Sequence, residues 1–218
     1  GIKIAGLVCK NFNINYSRKE AEKSIQDYFQ EQNIVGISDI DTRELVRHIR
    51  DKGAMNAIIP SEILDVEELK QRLAKTPSME GLELSSQVST QEPYFIGDEN
   101  AEIRVAVLDL GVKKNILRNF SERGVYAKVF PAKTSLKEME EWQPNGYFIS
   151  NGPGDPAAMP YAIDTVKEIL EINKPMFGIC LGHQLLGLAL GAKTYKLKFG
   201  HRGVNQPVMN LRTNRVEI

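Results

Sequence analysis

Residues 176–190 read MFGICLGHQLLGLAL. The run Pro175 to Ile179 (PMFGI) has the texture of a short buried strand, and GHQLLGLAL that of a helix with apolar residues crowding one side. Between them lies a Gly-x-Cys-x-Gly corner: Gly178, Ile179, Cys180, Leu181 and Gly182. Small residues flanking a nucleophile on a strand-to-helix turn form an elbow that lifts one side chain above the sheet.

Working outward, the second half of the chain alternates strand and helix. Arg104–Gly111 (RVAVLDLG) is predicted as a strand and Lys113–Arg123 as a helix, with Ile116, Leu117 and Phe120 inward and Gly124 ending it. The strand VYAKVF, the short helix Leu136–Trp142, the strand GYFIS and the helix Tyr161–Ile172 follow. Then come PMFGI, a helix over Leu181–Leu190 and a strand KTYKLKF. Such alternation implies βαβ units in a parallel sheet covered on both faces. Ligands of these sheets sit off the carboxyl ends of the strands. Both SNGPGDP (Ser150 to Pro156) and Cys180 fall there.

The first part has a different texture. Ile2–Cys9 (IKIAGLVC) is predicted as a strand, and Ser17 with Glu20 as a capping box ahead of Ala21, Ile25, Tyr28 and Phe29 at helical spacing. Asp41 with Glu44 opens a second helix whose buried side carries Leu45, Val46 and Ile49, with Gly53 as its stop. Met55–Pro60 (MNAIIP) is predicted as a strand, and Asp65 with Glu68 opens a third helix carrying Leu69 and Leu73. From Ser85 to Glu102 no period is sustained, and Ser, Gln, Pro and Gly accumulate; this reads as a linker or irregular crossing between domains. The closing NRVEI resembles a strand cut in the middle, and the start also reads as mid-strand, so a fragment is expected.

Composition excludes several classes of function. Acidic and basic residues balance at 28 each in 218 residues, so no global field draws in nucleic acid or an anionic membrane. No apolar run reaches the roughly 18 residues that span a bilayer, and no signal peptide is evident at the start. Two cysteines, Cys9 and Cys180, and three histidines, His48, His183 and His201, are too sparse for a disulfide framework or a zinc site. A cytoplasmic, reducing setting and a free Cys180 thiol are the expectation.

The candidate chemistry has bland rivals. Amides at a helix start, that of Leu181 among them, receive negative charge, yet most free cysteines are small buried hydrophobes. On the elbow alone both readings stand. Gly152 and Gly154 around Pro153 make a stiff turn that permits close backbone approach. That turn fits neither a dinucleotide fingerprint nor a P-loop, and by itself reads as an ordinary strand-ending turn. A cysteine nucleophile usually takes a histidine base. His183, three residues after Cys180, reads as structural, His201 as a turn or interface residue, and His48 as a surface residue. Either the cysteine is inert or its base lies beyond Ile218.

Two motifs together are more specific. NGPGDP, followed about thirty residues later by GICLGHQLL, resembles the class I, triad-type glutamine amidotransferases. VLDLGVKKNILR (Val107–Arg118), KLKFGHRGVNQPV (Lys196–Val208) and NIVGISDIDTRELVRHIRDKGAMNAII (Asn33–Ile59) are similar to the glutamine-hydrolysing small chains of carbamoyl-phosphate synthase. The last stretch lies outside the amidotransferase domain and separates this family from the GMP-, CTP- and anthranilate-forming relatives.

The resemblance implies an α/β fold. An N-terminal mixed α/β domain (1–97, incomplete) would be followed by an amidotransferase domain (98–218, truncated) with a mostly parallel sheet flanked by helices. It matches Cys180 to the nucleophile and Gly152 and Gly154 to the loop that contacts glutamine and helps form the oxyanion hole. Leu181 matches the second oxyanion donor through its backbone N–H, and Gln184 a substrate-binding residue. The family's base, in a His-x-Glu arrangement, would fall past residue 218, and a glutamine-contacting serine before residue 1.

The implied activity hydrolyses glutamine through a cysteine thioester and passes ammonia to a large synthetase chain, for pyrimidine and arginine biosynthesis. No cofactor or metal is implied in this chain; ATP and magnesium belong to the large partner of a heterodimer, with no nucleic acid or membrane partner. As 218 residues alone the chain is expected to be nearly inactive, though Cys180 is expected to react with a glutamine-mimicking alkylating reagent. A silent docking scaffold and a peptidase-like cysteine hydrolase are the competing readings; the latter class has no need of the first ~97 residues.

Overall fold

The structure is a computed structural model that describes residues 4–62, 65–200 and 205–218. Its contacts group the chain into two compact units, Gly1–Pro77 with Lys196–Ile218, and Ser78–Tyr195. The boundary near residue 97 drawn from the sequence falls inside the second unit.

The first unit holds short elements. Strands β1 (Gly6–Val8) and β2 (Val35–Ile37) pair in parallel. Helix α1 (Ile25–Glu31) starts at Ser24, whose hydroxyl accepts from the Asp27 N–H. The sequence placed that start at Ser17. Ser24-x-x-Asp27 is a second capping signature seven residues on, and it directly precedes the buried Phe29, so burial decides between two equivalent local signals. Helix α2 (Thr42–Lys52) is capped by Asp41, which accepts from the N–H groups of Arg43 and Glu44, and stops at Gly53 with φ 103°. Its apolar side is not covered as expected: Leu45 and Val46 are exposed and Ile49 is half-buried. Helix α3 (Val66–Ala74) is capped by Asp65. Met55–Pro60 and Lys193–Phe199, both predicted as strands, are irregular, because neither run has a ladder partner among the described residues. The beginning of the Ile2–Cys9 strand, and His201 within the 196–208 motif, lie outside the described residues.

In the second unit the segment read as a linker is structured. It holds a one-turn helix α4 (Ser85–Val88) and strand β3 (Tyr94–Ile96), which pairs antiparallel with a later strand. Both are too short to leave a periodic trace. The predicted alternation then follows: β4 (Ile103–Asp109), α5 (Lys114–Glu122), β5 (Val125–Pro131), α6 (Leu136–Glu140), β6 (Gly146–Ile149), α7 (Pro160–Glu171) and β7 (Met176–Gly178). Helix α8 (Leu181–Ala189) completes this unit. The hairpin β8 (Val208–Asn210) and β9 (Arg215–Glu217) belongs to the first unit, and it pairs the middle three residues of NRVEI.

The five-stranded sheet has the order β3-β5-β4-β6-β7, with β4 to β7 mutually parallel. The residues of β4 alternate between its faces. Ala106 and Leu108 join Tyr147, Ile149, Leu136, Met139, Val166, Ile169, Leu181 and Leu185 beneath α6, α7 and α8. Val107 and Phe148 turn to the opposite face and pack with Ala127, Val129 and Leu117 under α5. These side chains are almost fully buried, at about 25 cal/mol stabilisation per Å² of apolar surface removed from water. The chain runs from β4 outward to β5, then returns to the other side of β4 for β6. That reversal is a topological switch point at the carboxyl ends of β4 and β6, the place where open α/β sheets bind ligands.

Candidate active site

The candidate site is built from three strand ends. At the end of β4, the Asp109 carboxylate accepts from the N–H groups of Thr90 (2.7 Å), Gly111 (2.9 Å) and Val112 (2.8 Å), fixing the turn into α5. At the end of β6 comes Ser150-Asn151-Gly152-Pro153-Gly154-Asp155. The Ser150 hydroxyl accepts from the Leu110 N–H (2.9 Å) and donates to the Asn151 carbonyl (2.8 Å), tying this loop to β4. The Asn151 amide donates to the Gly111 carbonyl at 3.0 Å.

Gly152 is obligatory by space. A Cβ there would lie 2.0 Å from the Leu110 carbonyl oxygen and 2.9 Å from Leu181 Cδ2. The glycine turn therefore packs directly on the first residue of α8. Gly154 has φ 102°, and a Cβ there would also meet the Leu82 oxygen at 2.8 Å.

At the end of β7 stands the elbow. Cys180 has φ 53° and ψ −105°. A non-glycine residue held there stores about 1–3 kcal/mol, and such strain gathers at functional sites. Two hydrogen bonds clamp the corner: Ile179 N–H to the Ile149 carbonyl (3.1 Å) and Gly182 N–H to the Ser150 carbonyl (3.1 Å). The flanking glycines follow from the sharpness of the turn. A Cβ at Gly178 would sit 2.6 Å from the Gly182 carbonyl carbon, and one at Gly182 would sit 2.2 Å from the Ile149 oxygen. The thiol is free and exposed, which removes the reading of Cys180 as a buried hydrophobe. Among the described residues, the amides of Gly152, Gly154 and Leu181 donate to no protein acceptor.

The sequence-derived residues thus come together on one side of one sheet: Cys180 and Leu181 at the start of α8, Gly152 against Leu181, and Gly154 two residues on. Gln184 lies exposed on the next turn of α8, its N–H bonded to the Cys180 carbonyl at 3.1 Å. His183 is also exposed on α8. His48 lies on α2 of the other unit.

Residues that sequence reasoning did not assign also shape the loop. Asp109, Ser150, Asn151 and Asp155 do so through hydrogen bonds to the backbone of facing segments. Ser85 and Glu83 approach from a segment about seventy residues upstream. Glu83 accepts from the Ser86 N–H and hydroxyl and from the Tyr161 hydroxyl (2.9 Å). Burial pushes its carboxyl up, but these bonds outweigh it and hold Glu83 below the usual carboxylate value. Burial, then the bond to Glu83, pushes the Tyr161 phenol up. The motif SNGPGDP already contained Ser150, Asn151 and Asp155; nothing local in the sequence pointed to Ser85.

Comparisons with known proteins identify the family. Residues 106–217 match the family described as glutamine amidotransferase class-I. Residues 1–59 match the family described as carbamoyl-phosphate synthase small chain, CPSase domain. The chain is 47% identical over 217 residues to the carbamoyl phosphate synthase small chain of Synechococcus sp., covering 94% of this chain and 56% of that protein. It is 47% identical over 216 residues to the protein of that name from Chlorobaculum tepidum, covering 98% and 59%. For that of Corynebacterium diphtheriae the identity is 46% over 221 residues, covering 100% and 58%. The chain therefore spans a little over half the length of these relatives.

Proposed function

The chain belongs to the class-I glutamine amidotransferases, and within them to the carbamoyl-phosphate synthase small chains, and from that premise we propose that it is the glutaminase component of such a synthase. The observation that carries the reading is an exposed cysteine in a strained elbow, with the Gly152 turn packed against the residue that follows it.

In this reading the Cys180 sulfur, as thiolate, attacks the side-chain amide carbon of glutamine. A C–S bond forms and the carbonyl π pair moves onto oxygen. The amides of Leu181 and Gly152 receive that oxyanion; removing one such donor typically costs about 3 kcal/mol of transition-state stabilisation. Collapse breaks the C–N bond, and ammonia leaves with a proton from the base. The family resemblance assigns that base to a histidine of a His-x-Glu pair outside these 218 residues. Water, deprotonated by the same base, then cleaves the thioester to give glutamate and regenerate the thiol. Gly154 and Gln184 hold the substrate. Ammonia passes to a large synthetase partner that uses ATP and magnesium to form carbamoyl phosphate, in the cytoplasm, toward pyrimidines and arginine. This chain keeps no cofactor of its own. Among the described residues no helix is long and apolar enough to cross a membrane.

The test uses the whole protein assembled with its large partner. Cys180→Ser is expected to abolish glutamine-dependent carbamoyl phosphate synthesis and to leave ammonia-dependent synthesis intact. Retained glutamine dependence rejects the assignment.

A further inference from the structure

The segment from Gly81 to Ser89 lies outside both matched stretches, 1–59 and 106–217, yet it straps the glycine loop. The Asp155 N–H donates to the Leu82 carbonyl at 2.8 Å, and the Gly81 N–H donates to Asp155 Oδ2 at 2.8 Å. Glu83 and Gly154 form an antiparallel bridge. The Ser85 hydroxyl, fully buried, donates to the Pro153 carbonyl at 2.9 Å.

That last bond controls an amide two atoms away. A peptide unit is planar, and with no cis bonds among the described residues its N–H points opposite to its C=O. The Pro153 carbonyl and the Gly154 N–H belong to one such unit. By holding the carbonyl toward the strap, Ser85 turns the Gly154 N–H away from it, where it donates to no protein acceptor among the described residues. Ser150 does the same for the neighbouring unit. Its buried hydroxyl holds the Asn151 carbonyl at 2.8 Å, and that peptide carries the Gly152 N–H. Two buried hydroxyls from distant parts of the chain thus fix two glycine amides that are left open to a ligand.

We propose that Ser85 is a positioning residue that aims the Gly154 N–H at bound glutamine. The inference rests on the glutaminase reading above. Ser85 touches no substrate; it acts through the Pro153–Gly154 peptide. Because the Gly154 contact is made in ground and transition states alike, its loss weakens binding without slowing chemistry. A serine that merely supported the fold would instead lower the active fraction, and so kcat, at constant KM.

The experiment measures glutamine-dependent carbamoyl phosphate synthesis by the whole protein with its partner. Ser85→Ala is expected to raise the KM for glutamine about tenfold and to leave kcat within about threefold. Ser85→Cys, which keeps the volume but donates weakly, covers the case in which the alanine variant does not fold. It is expected to raise KM by an intermediate factor. An unchanged KM in the folded variants overturns the proposal, and so does a fall in kcat with KM constant. A wild-type protein without glutamine turnover overturns both this inference and its premise, whereas an active wild type with an unmoved KM overturns this inference alone.

Discussion

The two compact units differ in how their apolar side chains are disposed. In the unit of residues 78–195, Val107, Leu108, Ile149, Val166 and Leu185 are almost wholly removed from water, on both faces of one sheet. In the other unit Phe29 is the one buried apolar side chain among the described residues, while Val46, Val66 and Leu211 are exposed by 64%, 60% and 89%. Side-chain caps are found on α1, α2 and α3 of the exposed unit, whereas α4, α5, α7 and α8 of the buried unit have none, so local signals do not make the difference. What separates them is burial, and the candidate site stands wholly on the buried side. A strained cysteine at φ 53° needs surroundings that over-determine it, and the sheet, covered by α6, α7 and α8 on one face and α5 on the other, supplies them.

The contrast is broken or sharpened by mutation. The largest effects are expected at the elbow and the central strand. Gly182→Ala places a methyl 2.2 Å from the Ile149 oxygen, so the α8–β6 contact must open; a loss of about 3 kcal/mol or more follows. Leu108→Ala, at a fully buried position, is expected to cost about 2–5 kcal/mol. Leu45→Ala on α2 is expected to cost less than about 1 kcal/mol. Urea denaturation of the three variants checks the ranking, and an equal cost for Leu45 and Leu108 would remove the distinction between the units.

Hydrogen exchange reads the same contrast without mutation. Amides of β4, β5 and β6 are expected to exchange at least about 100-fold more slowly than those of α2 and α3, because buried ladders open only with the whole unit. Smaller again is Asp41→Ala, which removes the acceptor for two first-turn amides. It is expected to cost α2 about 1 kcal/mol, seen as faster exchange in that helix and unchanged exchange in β4.

The smallest effect concerns acid. Glu140 accepts from the Lys174 ammonium at 2.7 Å and from the Tyr147 hydroxyl. Burial pushes its carboxyl up, but these partners prevail and hold it below the ordinary 4.5. A depressed carboxyl stabilises the fold above its unfolded value, and that contribution fades as pH falls through the folded value. Glu140→Gln is therefore expected to flatten the acid limb of a stability–pH profile below about pH 4.5 and to leave the curve's shape unchanged near neutrality.

Legibility in the sequence followed burial too. The strands β4, β5 and β6 were readable because they bury continuous apolar residues, and α5 and α7 because their apolar residues recur at helical spacing, while β7, only three residues long with Phe177 exposed, was readable from the elbow that follows it. The Gly-x-Cys-x-Gly and Gly-Pro-Gly turns were readable because close backbone approach admits only glycine there. The signals that misled were local ones without a partner. Ser17 and Glu20 spell a capping box, but the buried Phe29 drew the helix start to Ser24. Met55–Pro60 is apolar and β-prone, yet no strand pairs with it among the described residues. Conversely, β3 and α4 were hidden in a stretch without period, since three or four residues carry no periodicity. Ser85 was invisible for a different reason: its role depends on a carbonyl 68 residues away, and no spacing rule reaches that far.

The two cysteines offer the most direct test of the account's central claim. Cys180 is exposed on the elbow, whereas Cys9 is half-buried beside the Ile37 carbonyl. The protein is treated with a glutamine-mimicking alkylating reagent, with and without excess glutamine, and the labelled peptides are quantified by mass spectrometry. Labelling is predicted at Cys180 alone, suppressed by glutamine. Equal labelling of Cys9 and Cys180, or labelling of Cys180 that glutamine leaves unchanged, would contradict the assignment of this elbow as the glutamine site.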